Sequence, residues 1–198
     1  MHDLKQFPCY ESGSLLEKLN MNILFIPLQE SHFPLLLKWL EAPHVKVWWD
    51  QDVLWTLELI KEKYGDYVKG YKLEKGAKKP IQAYIIYGND DSFGYIQLYN
   101  AYDFSREGSI PLEGLQKSLA TIDIFIGEEE YVGKGLGSRI MTQFLKEYVD
   151  PYYDACLVDP DTANMQAIRA YEKAGFKKIK TVKEGTVTVT GMVREKNL

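Results

Sequence analysis

Two stretches of this sequence hold residue types that could do chemistry. The first is EEEYVGKGLGSRIM, residues 128–141. Three carboxylates run into glycines on alternate positions, Gly133, Gly135 and Gly137, and a helical pattern begins behind them. Glycine loses more conformational entropy on folding than any other residue, so three together need a reason. The first N–H groups of a helix lack intrahelical partners, and the aligned peptide dipoles add partial positive charge there. Bare backbone lets a phosphate approach those donors. In the same turn lie Val132 and Leu136; Ser138 can add a hydroxyl, and Lys134 and Arg139 can add positive charge. The second stretch is TIDIFI, where Asp123 interrupts an apolar strand. A carboxylate beside buried apolar side chains costs free energy unless it is paired, and aspartate is disfavoured in strands. Alternation sets Ile122, Ile124 and Ile126 on one face and Asp123 with Phe125 on the other. That second face could meet solvent or line a cleft.

The glycine spacing excludes two phosphate sites. It lacks the G-x-x-x-x-G-K-[ST] pattern of a P-loop and the G-x-G-x-x-G pattern of a dinucleotide fold. Taken alone, GKGLG is equally well read as a tight strand-to-helix turn with no ligand.

The elements that must position these residues follow from periodicity. Residues 1–20 read as a flexible N-terminal extension to a single domain at 21–198, and NILFIPL after Met21 reads as a strand. SHFPLLLKWLEAP predicts a helix capped by Ser31 and ended before Pro43. PHVKVWWDQD reads as a loop with two adjacent tryptophans, Trp48 and Trp49. DVLWTLELIKEKYGDYVKG carries a helical stripe through Leu54, Leu57, Ile60 and Tyr64, and KGAKKP reads as a turn. IQAYIIYG, SFGYIQLYNAY and LATIDIFIG are β-rich, with a long irregular loop over 103–117. SRIMTQFLKEYV predicts a helix, DACLVDP a buried strand, and TANMQAIRAYEKAGF a helix stopped by Gly175. The last segment, KKIKTVKEGTVTVTGMVRE, predicts two strands around a turn at Glu184 and Gly185. Sequential strands imply antiparallel pairs, and two strand–helix–strand crossovers imply parallel ones. The expected class is α/β with α+β character: one mixed, mainly antiparallel sheet with helices on both faces.

Composition narrows the classes. At 198 residues the chain can bury a sizeable core, and its 45% hydrophobic and 26% charged content are ordinary for a globular protein. A formal net charge of −4 argues against a nucleic-acid partner and leaves cationic substrates open. Neither Cys9 and Cys156 nor His2, His32 and His44 fall in a metal-ligand spacing, so no metal is expected. The N-terminal stretch has no basic start followed by an apolar core, and no apolar run is long enough to span a bilayer. A cytoplasmic protein without membrane partners, monomeric or homodimeric, is expected.

In combination, IDIFIGEEEYVGKGLGSRIM and VDPDTANMQAIRAYEKAGF resemble the acetyl-CoA-binding core of the GNAT N-acetyltransferase superfamily. HVKVWW, IDIFIGE, GKGLG and AIRAYEKAGF together look like the aminoglycoside 6'-N-acetyltransferases. The resemblance implies a GNAT-type fold and acetyl-CoA as cosubstrate. It implies that the backbone of Val132, Gly133, Gly135, Leu136, Gly137 and Ser138 holds the coenzyme A pyrophosphate, with Lys134 and Arg139 nearby. Ile124, Phe125 and Ile126 would pair with the pantetheine arm, an amide there polarising the thioester carbonyl. Asn164 would touch the cofactor. The family often has Arg or Gln where Val132 stands, and the backbone is expected to do the holding without it.

The same resemblance implies roles at the reacting atoms. Tyr171 would donate to the departing sulfur; it could also be a packed helix residue. Asp123 would hold the substrate ammonium and accept or relay its proton. Asp159 would be a second acid of the acceptor cleft, or a turn aspartate in DPDT. Trp48 and Trp49 would wall the acceptor site, or pack in the core. The acceptor implied is a small cationic amine, the 6'-amine of an aminoglycoside first. Residues 103–117 depart from the family's acidic loop: Asp103, Glu107 and Glu113 are offset by Arg106 and Lys117, and there is no tryptophan. Two alternatives stand beside that acceptor: a smaller hydroxylysine-type amine, and a cofactor-binding module without catalysis. Cys156, in a predicted buried strand, is expected to be inert, and Glu128, Glu129 and Glu130 to form a solvated run.

Overall fold

The computed structural model describes residues 21–105 and 110–196. The expected extension at 1–20 lies outside them, as do Arg106 and Glu107. Eight strands form one sheet in the order β1-β3-β4-β5-β6-β8-β7, with β2 paired to the start of β3. They are β1 (Ile23–Pro27), β2 (Tyr71–Glu74), β3 (Ala77–Gly88), β4 (Asp91–Asn100), β5 (Leu119–Ile126), β6 (Ala155–Val158), β7 (Lys177–Glu184) and β8 (Val187–Glu195). The helices are α1 (Phe33–Leu40), the single turn α2 (Pro43–Lys46), α3 (Leu57–Val68), α4 (Leu136–Phe144) and α5 (Met165–Lys173). All neighbours pair antiparallel except β5 and β6.

Both faces of the sheet are covered, because its strands carry apolar side chains on both sides. One core holds Leu36 and Trp39 of α1, Ile60 and Tyr64 of α3, and Ile85, Tyr95 and Phe125 of the sheet. The other holds Ile140 and Phe144 of α4, Ile168 and Tyr171 of α5, and Ile86, Ile96 and Ile122 of the sheet. Fully burying one such side chain stabilises by about 1.5–3 kcal/mol.

Local departures from the sequence reading have physical causes. Ser31 sits inside a 3-10 turn, Glu30–His32, and does not cap α1. Leu54 is 76% exposed and lies before α3, whose cap is Thr56, accepting from the Leu59 N–H at 3.3 Å. In KGAKKP only Lys75 and Gly76 turn, both at positive φ; the rest opens β3, against which the unforeseen β2 pairs. PHVK forms α2 rather than loop. The second crossover does not bring its strands together: β8 inserts between β6 and β7.

Candidate active site

The sheet opens at its centre. β5 and β6 pair in parallel only at Leu119↔Ala155, Ala120↔Cys156 and Thr121↔Leu157, while β5 stays paired to β4 through Gly94↔Ile126. From Ile122 to Ile126 the strand therefore has one edge with no strand beside it among the described residues. A cleft of about 730 Å³ occupies the opening, and Asp123, Ile124, Phe125 and Ile126 line it. A strand edge that faces a cleft instead of another strand is a template for an extended ligand with amide groups.

At one side stands the glycine turn. Val132, Gly133, Gly135, Leu136, Gly137 and Ser138 line the cleft. Gly133 and Gly135 sit at φ 73° and 77°, the left-handed region that glycine enters without strain, and Gly135 is the N-cap of α4. Nothing within 4 Å would meet a Cβ at Gly135, and at Gly133 only the Gln166 amide would, at 3.9 Å. The turn is bare and open, as an anion cradle requires. Gly137 has another reason: its Cβ would lie 3.3 Å from that of Ala170, so it lets α5 pack on α4. Lys134 is exposed at the tip and does not line the cleft, and Arg139 donates to the Met21 carbonyl beside β1. Two cations that do line it, Arg169 and Lys173, come from α5.

Tyr171 is positioned by its own helix end. The Phe176 N–H donates to the Tyr171 carbonyl at 3.0 Å and the Gly175 N–H to the Glu172 carbonyl at 3.1 Å, with Gly175 at φ 94°. This is a Schellman motif, and its usual apolar contact is the Tyr171–Phe176 ring pair at 5.8 Å. RAYEKAGF thus encodes the stop that fixes the tyrosine. Burial first, then the charges of Asp123 and Asp159, push the Tyr171 phenol well above its ordinary pKa.

Asp123 lies opposite Gln97 in the β4–β5 register, and Gln97 Nε2 donates to its Oδ2 at 2.6 Å. Asp123 and Phe125 share the face of α1 and α3, whereas Ile122 belongs to the core of α4 and α5. The alternation read from the sequence is observed, but its second face meets packed aromatic rings and the cleft. Trp49 packs edge-on against Phe125 at 5.0 Å and Tyr95 at 6.1 Å, and Trp48 is 43% exposed; both line the cleft. Trp49 therefore both packs against the core and lines the cleft.

Asp159 and Asn164 complete the lining opposite β5. The turn chemistry of DPDT belongs to Asp161, whose Oδ1 accepts from the Ala163 N–H at 2.7 Å. The cap of α5 is Asn164, accepting from the Ala167 N–H at 3.0 Å. Asp159 holds neither post and stands in the cleft. Burial raises the Cys156 thiol far above its usual range, as inert packing requires. Glu128 is not part of a solvated run: it accepts from Lys38 Nζ at 2.5 Å and Trp39 Nε1 at 2.8 Å. Burial opposes its ionisation, but those hydrogen bonds outweigh it and hold the carboxyl below its ordinary range.

Sequence reasoning missed His44, Gln97, Arg169 and Lys173. The His44 Nε2–H donates to the Ile126 carbonyl at 3.2 Å, at the end of the open strand edge. The one signal for Gln97 was a polar residue inside the apolar run GYIQLY; the spacing of Arg169 and Lys173, four apart on α5, could have placed them on one helix face. Among the described residues no group of three His, Cys, Asp or Glu side chains could hold a metal ion. No described helix is long and apolar enough to cross a membrane.

Comparison with known proteins gives this arrangement a context. Residues 29–184 match the family described as acetyltransferase (GNAT) domain. The aminoglycoside N(6')-acetyltransferase type 1 of Klebsiella pneumoniae is 29% identical over 177 residues, 88% of this chain and 81% of that one. The structure of AAC(6')-Ib in complex with ribostamycin and coenzyme A superposes with a TM-score of 0.74 at 26% identity, over 88% of this chain and 93% of that one. AAC(6')-Ib in complex with coenzyme A and kanamycin gives 0.72 at 26% identity, over 88% and 95%.

Proposed function

The chain belongs to the GNAT acetyltransferase family, and from that premise we propose that it transfers acetyl from acetyl-CoA directly to a primary amine, the 6'-amine of an aminoglycoside. The observation that carries the proposal is the opening between β5 and β6, with a bare helix-start cradle and acidic side chains in one cleft. The relatives that bind aminoglycosides with coenzyme A support the choice of acceptor.

In this reading each residue has one task. The N–H groups at the start of α4 hold the pyrophosphate, and the open edge of β5 pairs with the pantetheine arm. Acetyl-CoA supplies the activated acyl group. Asp123 holds the acceptor ammonium and takes its proton, so that the nitrogen lone pair can attack the thioester carbonyl carbon. A β5 amide stabilises the oxyanion; the C–N bond forms, the C–S bond breaks, and the second proton of the attacking nitrogen passes to the departing sulfur. Tyr171 donates a hydrogen bond to the departing sulfur. A thiol titrates near 8.5, so a phenol raised well above 10 steadies the thiolate without surrendering its proton. No covalent enzyme intermediate is needed: holding both reactants in one cleft supplies much of the acceleration.

Asp103 favours a second reading, a smaller amine of hydroxylysine type. It pairs with Lys79 at 3.0 Å and does not line the cleft, so it adds no charge for a polycation. Thiol release from acetyl-CoA separates the two. Release with kanamycin or tobramycin supports the first reading; release with hydroxylysine alone replaces it with the second. No release with any of them, despite coenzyme A binding, removes both acceptors and leaves a cofactor-binding module.

A further inference from the structure

We infer that Gln97 and Tyr95 are positioning residues that aim the carboxylate of Asp123, an inference that rests on the proton-accepting role proposed above. A glutamine with 8% exposure in a central strand needs a reason. Gln97 spans two groups that no apolar residue could connect. Its Nε2 donates to Asp123 Oδ2 at 2.6 Å, and its Oε1 accepts from the Tyr95 hydroxyl at 2.7 Å.

The direction of the chain is forced by what each group can do. An ionised carboxylate only accepts, so Gln97 must present its NH₂ to Asp123. Its oxygen then faces Tyr95, which must donate. Tyr95 cannot swing away, because it is fully buried between the Tyr64 ring at 5.7 Å and the stacked Phe125 ring at 5.4 Å. Trp49 closes on it edge-on at 6.1 Å. The β4–β5 register makes the arrangement compact: Tyr95 lies opposite Phe125 and Gln97 opposite Asp123. A rigid aromatic cluster thus fixes a hydroxyl, the hydroxyl fixes an amide, and the amide occupies one carboxylate oxygen. That sets the orientation of the carboxylate that lines the cleft. A packing role for Gln97 would need no such polarity match.

A double-mutant cycle tests this on the full chain, by thiol release with kanamycin, tobramycin and hydroxylysine. Gln97→Leu is expected to lower kcat about 10- to 100-fold, the cost of a misaimed catalytic group, with the KM for acetyl-CoA unchanged. Tyr95→Phe keeps the ring and is expected to give a smaller loss of the same kind. In an Asp123→Asn background, Gln97→Leu should cost no more than about twofold, because its effect passes through Asp123. Equal losses in both backgrounds, or a loss confined to acetyl-CoA affinity or thermal stability, would overturn the inference. If Asp123→Asn itself keeps full turnover, the base role fails and this inference with it. If Asp123→Asn is slow while Gln97→Leu is fast, only the inference fails. No turnover with any of the three amines overturns both.

Discussion

At the scale of single residues, Tyr171 is held where two acids act on it, and its phenol stays neutral over the working pH range. Tyr171→Phe keeps the packing against Phe176 and removes only the donor. It is expected to lower kcat about tenfold, one hydrogen bond's worth, with acetyl-CoA binding unchanged in calorimetry. Weaker binding with unchanged kcat would show a packing role instead. The place of Tyr171 at its helix end was legible, because RAYEKAGF specifies its own helix stop within six residues. Asp123 was half legible: alternation gave its face, but not the aromatic rings across it. Gln97 and Glu128 were not legible, because their partners depend on pairing over 26 and 89 residues.

At the scale of elements, three glycines answer to three demands, two of them at the cleft. Gly133 needs a left-handed backbone, so Gly133→Ala is expected to cost about 1–2 kcal/mol and to weaken coenzyme A binding, as titration calorimetry would show. Gly137 needs closeness between helices. Gly127 needs an absence of side chain, since a Cβ there would lie 2.2 Å from the Trp39 ring. Gly127→Ala is expected to destabilise by about 1–3 kcal/mol, read as a lower Tm, because neither the indole nor the end of β5 can yield. The glycine turn was legible from its spacing and its place before a helical pattern. The closeness of Gly127 to Trp39 was not, because α1 lies far away in sequence. β2 escaped because its alternation, YKLE, runs over only four residues and no face of it is fully buried, and the insertion of β8 escaped because pairing order is a tertiary choice.

At the scale of the whole molecule, two cores clamp the sheet from opposite faces, and between them β5 parts from β6. Several tyrosines are sealed in those cores. Burial, the largest cause, raises Tyr84 to about 12 and pushes Tyr64 and Tyr95 well up. A group with a raised folded pKa gives stability that is present below its unfolded pKa and lost as pH rises through the folded one. The Tm should therefore be insensitive to these phenols up to about pH 10 and fall above it. The part of the tyrosinate absorbance that belongs to these buried phenols should rise with unfolding and not before. The central claim is that acetyl passes to an amine in the opening of the sheet, with Asp123 taking the proton. The most direct test is the rate of acetyl-kanamycin formation by Asp123→Asn beside the unaltered protein, with acetyl-CoA affinity measured on both. A fall of about 10²–10⁴-fold at unchanged affinity is the expected result; equal rates would contradict it.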